Sequence, residues 1–256
     1  MRVVAVIPAR YASVRLPGKA LLEIAGRPMI AHVYERVARC TALAAVIVAT
    51  DDERIAQAIR ALGGAVAMTR PDHPSGTDRV AEVAQGLAAD LIINVQGDEP
   101  LFKSQMIDDA LAPFRADAEL RFGTLRATIR ETDDLFDPNC VKVVVDQQDH
   151  ALYFSRSPIP FARGLMSLYG QRPELVGAPQ ERPVFYKHLG LYVYRRDFLL
   201  EFTRWPASAL ERAERLEQLR ALEHGVRIAC PLTVHETISV DTAHDLTRVK
   251  AIMENG

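Results

Sequence analysis

The stretch VVAVIPARYASVRLPGK, residues 3–19, joins a short apolar run to a loop that carries three cations. Its first five residues contain no polar side chain, which is typical of a strand buried on both faces of a sheet. The loop begins where this strand ends, and ligands of open α/β sheets bind at the carboxyl ends of the strands. We therefore expect a ligand-binding edge directly after the first strand.

Short apolar runs alternate with longer amphipathic stretches through the first hundred residues. The apolar runs predict strands, and the amphipathic stretches predict the crossover helices that connect parallel strands. Gly63 and Gly64 form a plausible helix stop, because glycine accepts the positive φ of a C-terminal cap at little cost. The pattern predicts a mostly parallel sheet with strands at 3–7, 46–49, 65–68 and 91–95 and helices at 29–40, 53–62 and 77–88.

The alternation loosens after residue 100, where predicted strands follow one another. This favours an insertion or a mixed-sheet half attached to the parallel half. Residues 158–183 are rich in Pro, Gly and Arg without periodicity, which indicates an irregular loop. Strands are predicted at 123–129, 141–145, 151–154, 189–194 and 228–232, and helices at 104–115, 196–203, 208–223 and 243–254.

The overall charge is nearly balanced, with 31 Lys and Arg against 33 Asp and Glu in 256 residues. This balance argues against general nucleic-acid binding, which normally shows as a basic excess. No apolar run approaches the roughly 20 residues that cross a bilayer, so we expect a cytoplasmic protein without membrane insertion. The 3 cysteines are far apart and form no C-x-x-C pair, so neither a disulfide framework nor a zinc site is indicated.

The loop after the first strand places Arg10, Arg15 and Lys19 at the predicted sheet edge. Arginine offers a planar fork to phosphate oxygens and lysine a mobile point charge, so a triphosphate is a natural ligand. The P-loop pattern G-x-x-x-x-G-K-[ST] is absent, since Ser13 stands at its first glycine and Ala20 follows the lysine. A solvated basic surface loop is the alternative interpretation.

Two acidic residues are candidate metal ligands. Asp98 comes shortly after a predicted strand, and Asp241 follows an apolar stretch and precedes a predicted helix. Mg²⁺ prefers carboxylate, phosphate and water oxygens and usually takes one or two protein carboxylates in nucleotide enzymes. The alternatives are a turn residue for Asp98 and a helix N-cap for Asp241.

A polar turn follows the third predicted strand and contains Arg70, Ser75, Gly76 and Thr77. Hydroxyls, main-chain amides and a guanidinium can read the carbonyl and amino edge of a pyrimidine. The alternative is simple capping of the following helix by Ser75 or Thr77.

Together with the loop at 8–19, seven ordered motifs resemble the sugar nucleotidyltransferases that use CTP. The resemblance implies a three-layer α/β/α nucleotide-diphospho-sugar transferase fold, formed as one domain over 1–256, with a smaller acceptor and dimer side. It implies that 1–120 mainly bind CTP, 121–232 mainly serve the acceptor sugar and a homodimer contact, and 233–256 close the metal site and end in a helix. The motifs are VATD at 48–51, MTRPDHPSGTDR at 68–79, NVQGDEP at 94–100, ALYFSR at 151–156, KHLGLY at 187–192, LEQLR at 216–220 and VDT at 240–242.

The activity implied by this resemblance is transfer of CMP from CTP to the anomeric hydroxyl of 3-deoxy-D-manno-octulosonate (Kdo), with release of pyrophosphate, for lipopolysaccharide biosynthesis. Mg²⁺ is the implied cofactor, held by Asp98 and Asp241. The implied catalytic residues are Arg10, Arg15, Lys19, Asp98 and Asp241. The implied CTP-binding residues are Ala9, Arg10, Ser13, Arg15, Lys19, Arg70, Ser75, Gly76 and Gln96. The implied sugar-binding residues are Gln96, Arg156, His188, Tyr192, Glu217 and Gln218.

Several alternatives remain open at this point. His188 is equally a satisfied hydrogen-bonding partner, Glu217 a member of a solvated helix face, and Tyr192 a core residue. The segment 161–182 departs from the family pattern. A related enzyme that activates an amino-Kdo, a sialic acid or a sugar 1-phosphate is the nearest rival function. A nucleotide-sensing scaffold is the rival from another class, and it predicts loss of Arg10, Lys19 or the two carboxylates, all of which are present.

Overall fold

The computed structural model describes residues 1–12, 16–163 and 185–255. The chain forms two compact units. The first consists of Met1–Leu111, Leu191–Arg204 and His235–Gly256, and the second of Ala112–Gly190 and Trp205–Val234. The predicted functional segments 1–120, 121–232 and 233–256 stay a prediction. Ser13, Arg15 and most of the predicted irregular loop lie outside the described residues.

The secondary structure follows the predicted alternation closely. The first elements are β1 (Val3–Ala9), a 3-10 turn (Lys19–Leu21), β2 (Glu23–Ile24), β3 (Arg27–Pro28), α1 (Met29–Ala38), β4 (Ala45–Thr50), α2 (Glu53–Arg60), β5 (Ala65–Met68), α3 (Gly76–Gln85), β6 (Leu91–Asn94) and α4 (Gln105–Ala116). The chain continues with β7 (Phe122–Thr128), α5 (Thr132–Phe136), β8 (Lys142–Val145), β9 (Ala151–Ser155), β10 (Tyr186–Arg195), α6 (Arg196–Phe202), α7 (Ala209–Glu214), α8 (Gln218–Glu223), β11 (Ile228–Ala229) and α9 (Ala243–Asn255).

The sheet of the first unit confirms the predicted mostly parallel α/β fold. Strand β1 lies between β4 and β6 and is parallel to both, and β5 extends the parallel set beside β4. Residues 192–195 of β10 pair antiparallel with β6. Val6 lies opposite Ile47 on one side and Asn94 on the other, so the carboxyl ends of β1 and β6 meet at one edge.

The apolar strands β1 and β6 are almost completely buried, as their runs of apolar side chains predict. Residues 4–7 of β1 and 91–93 of β6 are at most 2% exposed. Helix α1 buries Met29, Ile30, Val33 and Val37, which share one helical face. Gly63 adopts φ 74° after α2, which confirms the predicted helix stop.

In the second unit, β7 lies between β11 and β10, and β8 pairs antiparallel with β9 and with the first residues of β10. The prediction of one helix over 208–223 is wrong, because Arg215 adopts φ 55° between α7 and α8. The guanidinium of Arg156 donates to the carbonyl oxygens of Glu214 (2.7 Å) and Arg215 (3.4 Å). A side chain distant in sequence therefore satisfies carbonyls that a continuous helix would have used.

The predicted strand over 228–232 is also shorter than expected. Only Ile228–Ala229 pairs as a strand, with β7, and Leu232 forms an isolated bridge with Arg126. Within the described ranges, no helix combines the length and the apolar character that crossing a membrane requires.

Candidate active site

A cavity of about 340 Å³ opens in the first unit where β1 and β6 end. Its lining brings together eight residues that the sequence analysis assigned to the site, although they come from four separate segments of the chain. They are Ala9, Arg10, Lys19, Ser75, Gly76, Gln96, Asp98 and Asp241.

The ammonium group of Lys19 bridges the two predicted metal ligands. Its Nζ donates to Asp98 Oδ2 at 2.6 Å and to Asp241 Oδ1 at 3.0 Å. Burial alone lowers the pKa of Lys19, but Asp98 and then Asp241 outweigh it, so the pKa lies above its ordinary value. The lysine is therefore a full cation at neutral pH and balances part of the charge of the two carboxylates.

Backbone contacts hold Asp98 and Asp241 near each other. The amide of Val240 donates to the carbonyl oxygen of Asp98 at 2.9 Å, which fixes the Asp241 segment beside the end of β6. A Cβ at Gly97 would lie 2.8 Å from the Pro8 carbonyl oxygen. Only glycine permits this approach of the Asp98 turn to β1.

The alternative assignment of Asp241 as the cap of the last helix is wrong. Thr242 caps α9 instead, since its Oγ1 accepts the amide of Asp245 at 3.2 Å. Asp245 Oδ2 in turn accepts the amides of Thr242 (2.8 Å) and Asp241 (3.1 Å). This reciprocal arrangement leaves the Asp241 carboxylate to face Lys19.

The donor set at this position fits Mg²⁺. Both carboxylates already reach one cation, the Lys19 ammonium, so they can converge on a single positive charge. Among the described residues, no group of three or more His, Cys, Asp or Glu side chains converges as a metal cage. Mg²⁺ does not need such a cage, because it binds through one or two carboxylates and completes its shell with phosphate and water oxygens.

A third acidic side chain, Glu99, lies behind these two and was missed by the sequence analysis. It is 6% exposed and accepts a hydrogen bond from Ser239 Oγ at 3.4 Å. Burial, and secondarily the charges of Asp98 and Asp241, raises the pKa of Glu99 to about 8. The group is therefore largely protonated at neutral pH. Its place in the motif Asp98-Glu99-Pro100, directly beside a predicted ligand, was the available signal.

Ser75 both lines the cavity and caps α3. Its Oγ accepts the amide of Asp78 at 3.2 Å and donates to Asp78 Oδ2 at 2.7 Å. The capping interpretation is confirmed, and the nucleotide-binding role stays a prediction.

The two arginines near this helix differ from the sequence-based expectation. Arg70 is 67% exposed and lies 3.7 Å from Asp72, and it is not among the cavity-lining residues. Arg79 lines the cavity with only 3% exposure, and it pairs with Asp51 at 3.3 Å and with Thr69. The sequence signal for burial of Arg79 was its position next to the apolar Val80 in a predicted helix.

The predicted sugar-binding residues are dispersed along the chain. Gln96 lines the cavity, and Tyr192 lies in β10 opposite Asn94. In the second unit, Arg156 is engaged with main-chain carbonyls, as described above. Glu217 lies 3.7 Å from Arg220, and Gln218 is 2% exposed. Their roles in sugar binding stay predictions.

His188 has the geometry of a structural histidine. Its Nε2 lies 2.9 Å from Thr124 Oγ1, and its ring packs edge-on against Phe154 with 5.1 Å between centroids. Burial lowers the pKa of His188 to about 3, so the imidazole is neutral at physiological pH. Its assignment to the sugar site stays a prediction.

Acid should destabilise the second unit through His188. The unfolded chain protonates His188 below its ordinary pKa of about 6.5, whereas the folded chain does so only near pH 3. The free energy of unfolding therefore decreases as the pH is lowered from about 6.5 to about 3. Between pH 7 and pH 5 we expect a loss of about 2 kcal/mol from this group. Urea unfolding of the wild type and of His188→Asn at both pH values measures it as the difference between the two pH responses. If the wild type and His188→Asn lose the same free energy of unfolding between the two pH values, His188 does not have a lowered pKa in the folded protein.

Comparison with known proteins shows the family. The sequence profile described as "Cytidylyltransferase" matches residues 4–228. A 3-deoxy-manno-octulosonate cytidylyltransferase of Geobacter sulfurreducens is 55% identical over 249 residues, covering 97% of this chain and 98% of its own. One from Trichlorobacter lovleyi is 50% identical over 256 residues, covering 100% of both chains.

Solved structures give the same result. A CMP:2-keto-3-deoxy-manno-octonic acid synthetase complexed with CTP is 44% identical with a TM-score of 0.89, covering 100% of this chain and 99% of its own. The 4-diphosphocytidyl-2C-methyl-D-erythritol synthase of Anaerococcus prevotii is 9% identical with a TM-score of 0.62, covering 99% and 98%. The second similarity concerns the fold alone.

Proposed function

This chain belongs to the cytidylyltransferase family, and we propose that it transfers CMP from CTP to Kdo, releasing pyrophosphate. The product, CMP-Kdo, is the activated sugar for lipopolysaccharide biosynthesis. The observation that carries the assignment in this chain is that Arg10 and Lys19 line the same cavity as Asp98 and Asp241, with Lys19 in contact with both carboxylates. A cationic and an acidic group of residues at one sheet edge suit a triphosphate that binds together with a divalent metal.

In the proposed reaction, the anomeric C2 hydroxyl of Kdo attacks the α-phosphorus of CTP. A bond forms between the sugar oxygen and phosphorus, the bond from the α-phosphorus to the bridging oxygen breaks, and pyrophosphate leaves with that oxygen. The hydroxyl proton passes to solvent. Phosphoryl and nucleotidyl transfers need little covalent help from the protein, so positioning and charge neutralisation supply most of the rate. Arg10, Arg15 and Lys19 would neutralise the triphosphate and the departing pyrophosphate.

Asp98 and Asp241 would hold Mg²⁺, which when bound supplies Lewis-acid polarisation of the α-phosphate and lowers the pKa of a coordinated hydroxyl. In the structure Lys19 holds these same carboxylates at 2.6 and 3.0 Å. Incoming phosphate oxygens would compete for its ammonium group. We infer that Lys19 exchanges its carboxylate partners for phosphate oxygens when CTP binds.

The remaining assignments are proposals that rest on the family. Two groups of residues would contact CTP. Ala9, Ser75, Gly76 and Gln96 line the cavity. Ser13 and Arg70 are proposed from the family alone. Gln96, Arg156, His188, Tyr192, Glu217 and Gln218 would contact the sugar. Homodimer formation and a cytoplasmic location are proposed on the same basis.

A pyrophosphate-release assay tests the function. The arms are four nucleoside triphosphates, each with Kdo, an amino-Kdo, a sialic acid or a sugar 1-phosphate, with and without Mg²⁺. We expect release with CTP and Kdo, dependent on Mg²⁺, at a kcat/KM at least about a hundredfold above the other pairs. Release that requires a sugar 1-phosphate, or CTP binding without turnover on any acceptor, would contradict the proposed function.

A further inference from the structure

The two ends of the basic loop are tied together by Tyr11 and Gly18. The amide of Gly18 donates to the carbonyl oxygen of Tyr11 at 3.1 Å. A Cβ at Gly18 would lie 3.1 Å from Cε2 of the Tyr11 ring, so this ring packs directly on the glycine backbone. Gly18 has φ +68°, a conformation that glycine adopts without strain. The backbone of the loop is therefore closed where its two ends meet.

Two cavity-lining cations flank this closure. Arg10 comes immediately before Tyr11, and Lys19 comes immediately after Gly18. Tyr11 itself is not among the residues that line the cavity. Arg10 and Lys19 are therefore the lining residues next to the Tyr11–Gly18 contact through which its side chain can act on a ligand.

The ring of Tyr11 also contacts helix α2. The guanidinium carbon of Arg54 lies 3.5 Å from the ring centroid, in the geometry of a cation-π contact. Arg54 is itself fixed by Asp52, with Nε to Oδ1 at 3.0 Å and Nη2 to Oδ2 at 2.7 Å. Asp52 is the N-cap of α2 and also accepts the amide of Arg54 at 2.9 Å. The ring is thus connected to the end of a regular helix that follows β4.

We propose that Tyr11, braced by Arg54, is a positioning residue that holds Arg10 and Lys19 at the spacing needed to bind the triphosphate of CTP. This rests on the proposed function, because it takes CTP as the ligand of the cavity. The aromatic ring makes both the contact with Gly18 and the contact with Arg54, and its hydroxyl oxygen adds to them, since it would lie 3.3 Å from a Cβ at Gly18 and interacts with Arg54.

Tyr34 offers a matched control in the same unit. Its ring also packs on a glycine, since a Cβ at Gly64 would lie 2.8 Å from Tyr34 Cζ, and it is likewise half-buried and outside the cavity lining. Tyr34→Leu should therefore lower thermal stability without changing CTP affinity. A purely structural role for Tyr11 would make Tyr11→Leu behave in the same way.

The test compares Tyr11→Leu, Tyr11→Phe, Arg54→Met and Tyr34→Leu with the wild type. CTP binding is measured by calorimetry with Mg²⁺ and no acceptor, and KM and kcat by pyrophosphate release. For Tyr11→Leu we expect about tenfold weaker CTP binding and a similar rise in the KM for CTP, with the KM for Kdo unchanged and kcat within about threefold. Tyr11→Phe should restore CTP affinity to within about twofold, and Arg54→Met should fall between Tyr11→Leu and the wild type.

The proposal is overturned if Tyr11→Leu binds CTP within about twofold of the wild type, or if Tyr34→Leu loses CTP affinity to the same extent. The binding arm separates this proposal from the proposed function. If the wild type binds CTP but does not react with Kdo, the acceptor assignment fails and the positioning role is still tested by CTP affinity. If the wild type does not bind CTP, both fail.

Discussion

Asp98→Asn and Asp241→Asn are each expected to lower kcat/KM by about a thousandfold, equivalent to about 4 kcal/mol of transition-state stabilisation. Each substitution keeps the size of the side chain but removes one negative charge from a site where both carboxylates face a single cation. An amide is a poor ligand for Mg²⁺ compared with a carboxylate. The loss should therefore include a weaker dependence on Mg²⁺ as well as a slower reaction.

The measurement is steady-state kinetics over a range of Mg²⁺ concentrations. Asp108→Asn is the matched control, because Asp108 is an exposed acid in the first turn of α4 outside the cavity lining. The control should keep wild-type kinetics. If the Asp98 and Asp241 variants also retain kcat/KM within about threefold with an unchanged Mg²⁺ profile, the assignment of the metal ligands is wrong.

Lys19→Met is expected to move two measurements in opposite directions. Loss of the ammonium removes a charge that we propose binds phosphate, so kcat/KM for CTP should fall by about a hundredfold to a thousandfold. The same change leaves Asp98 and Asp241 without the cation that lies 2.6 and 3.0 Å from them. Two carboxylates released from that ammonium should bind a free divalent cation more tightly, by about tenfold.

Titration with Mn²⁺ in the absence of nucleotide measures the second effect, and pyrophosphate release measures the first. Lys103→Met removes an exposed lysine of the same unit and should change neither quantity. A Lys19→Met protein that loses activity but binds Mn²⁺ no more tightly than the wild type would show that Lys19 does not compete with the metal for these carboxylates.

The convergence of the site was predictable because it follows from sheet topology. Buried apolar runs identified β1 and β6 as parallel strands, and parallel strands present their carboxyl ends at one edge. Arg10 and Asp98 follow those strands directly, so their common location needed no knowledge of side-chain packing. The structure confirms that β1 and β6 pair in parallel, which explains why Arg10 and Asp98 line the same cavity.

Other features depend on contacts between residues far apart in the sequence. Lys19 meets its partners across 79 and 222 positions, and no local pattern encodes such pairings. At the break at Arg215, the carbonyl oxygen accepts a hydrogen bond from the guanidinium of Arg156, 59 positions earlier. The helix prediction uses only the local periodicity of apolar residues, so it predicted one helix through Arg215.

Burial explains the remaining differences. Glu99 has a pKa of about 8 because it is enclosed, and enclosure results from the completed fold. Arg70 and Arg79 carry the same side chain, so residue type alone does not distinguish them. In the fold Arg70 is exposed, whereas Arg79 is buried and lines the cavity. The resemblance to a family indicates Arg70, whose role stays a prediction, and the packing of α3 adds Arg79 to the cavity lining.

The most direct test of the account follows the α-phosphorus of CTP. The protein is incubated with CTP labelled with ³²P at the α-position, Mg²⁺ and Kdo, and the products are separated by chromatography. We predict that the label moves into CMP-Kdo, in an amount equal to the pyrophosphate released and only when Kdo is present. Label recovered as free CMP in the absence of Kdo, or retained in CTP while a γ-label moves to the sugar, would contradict transfer of CMP.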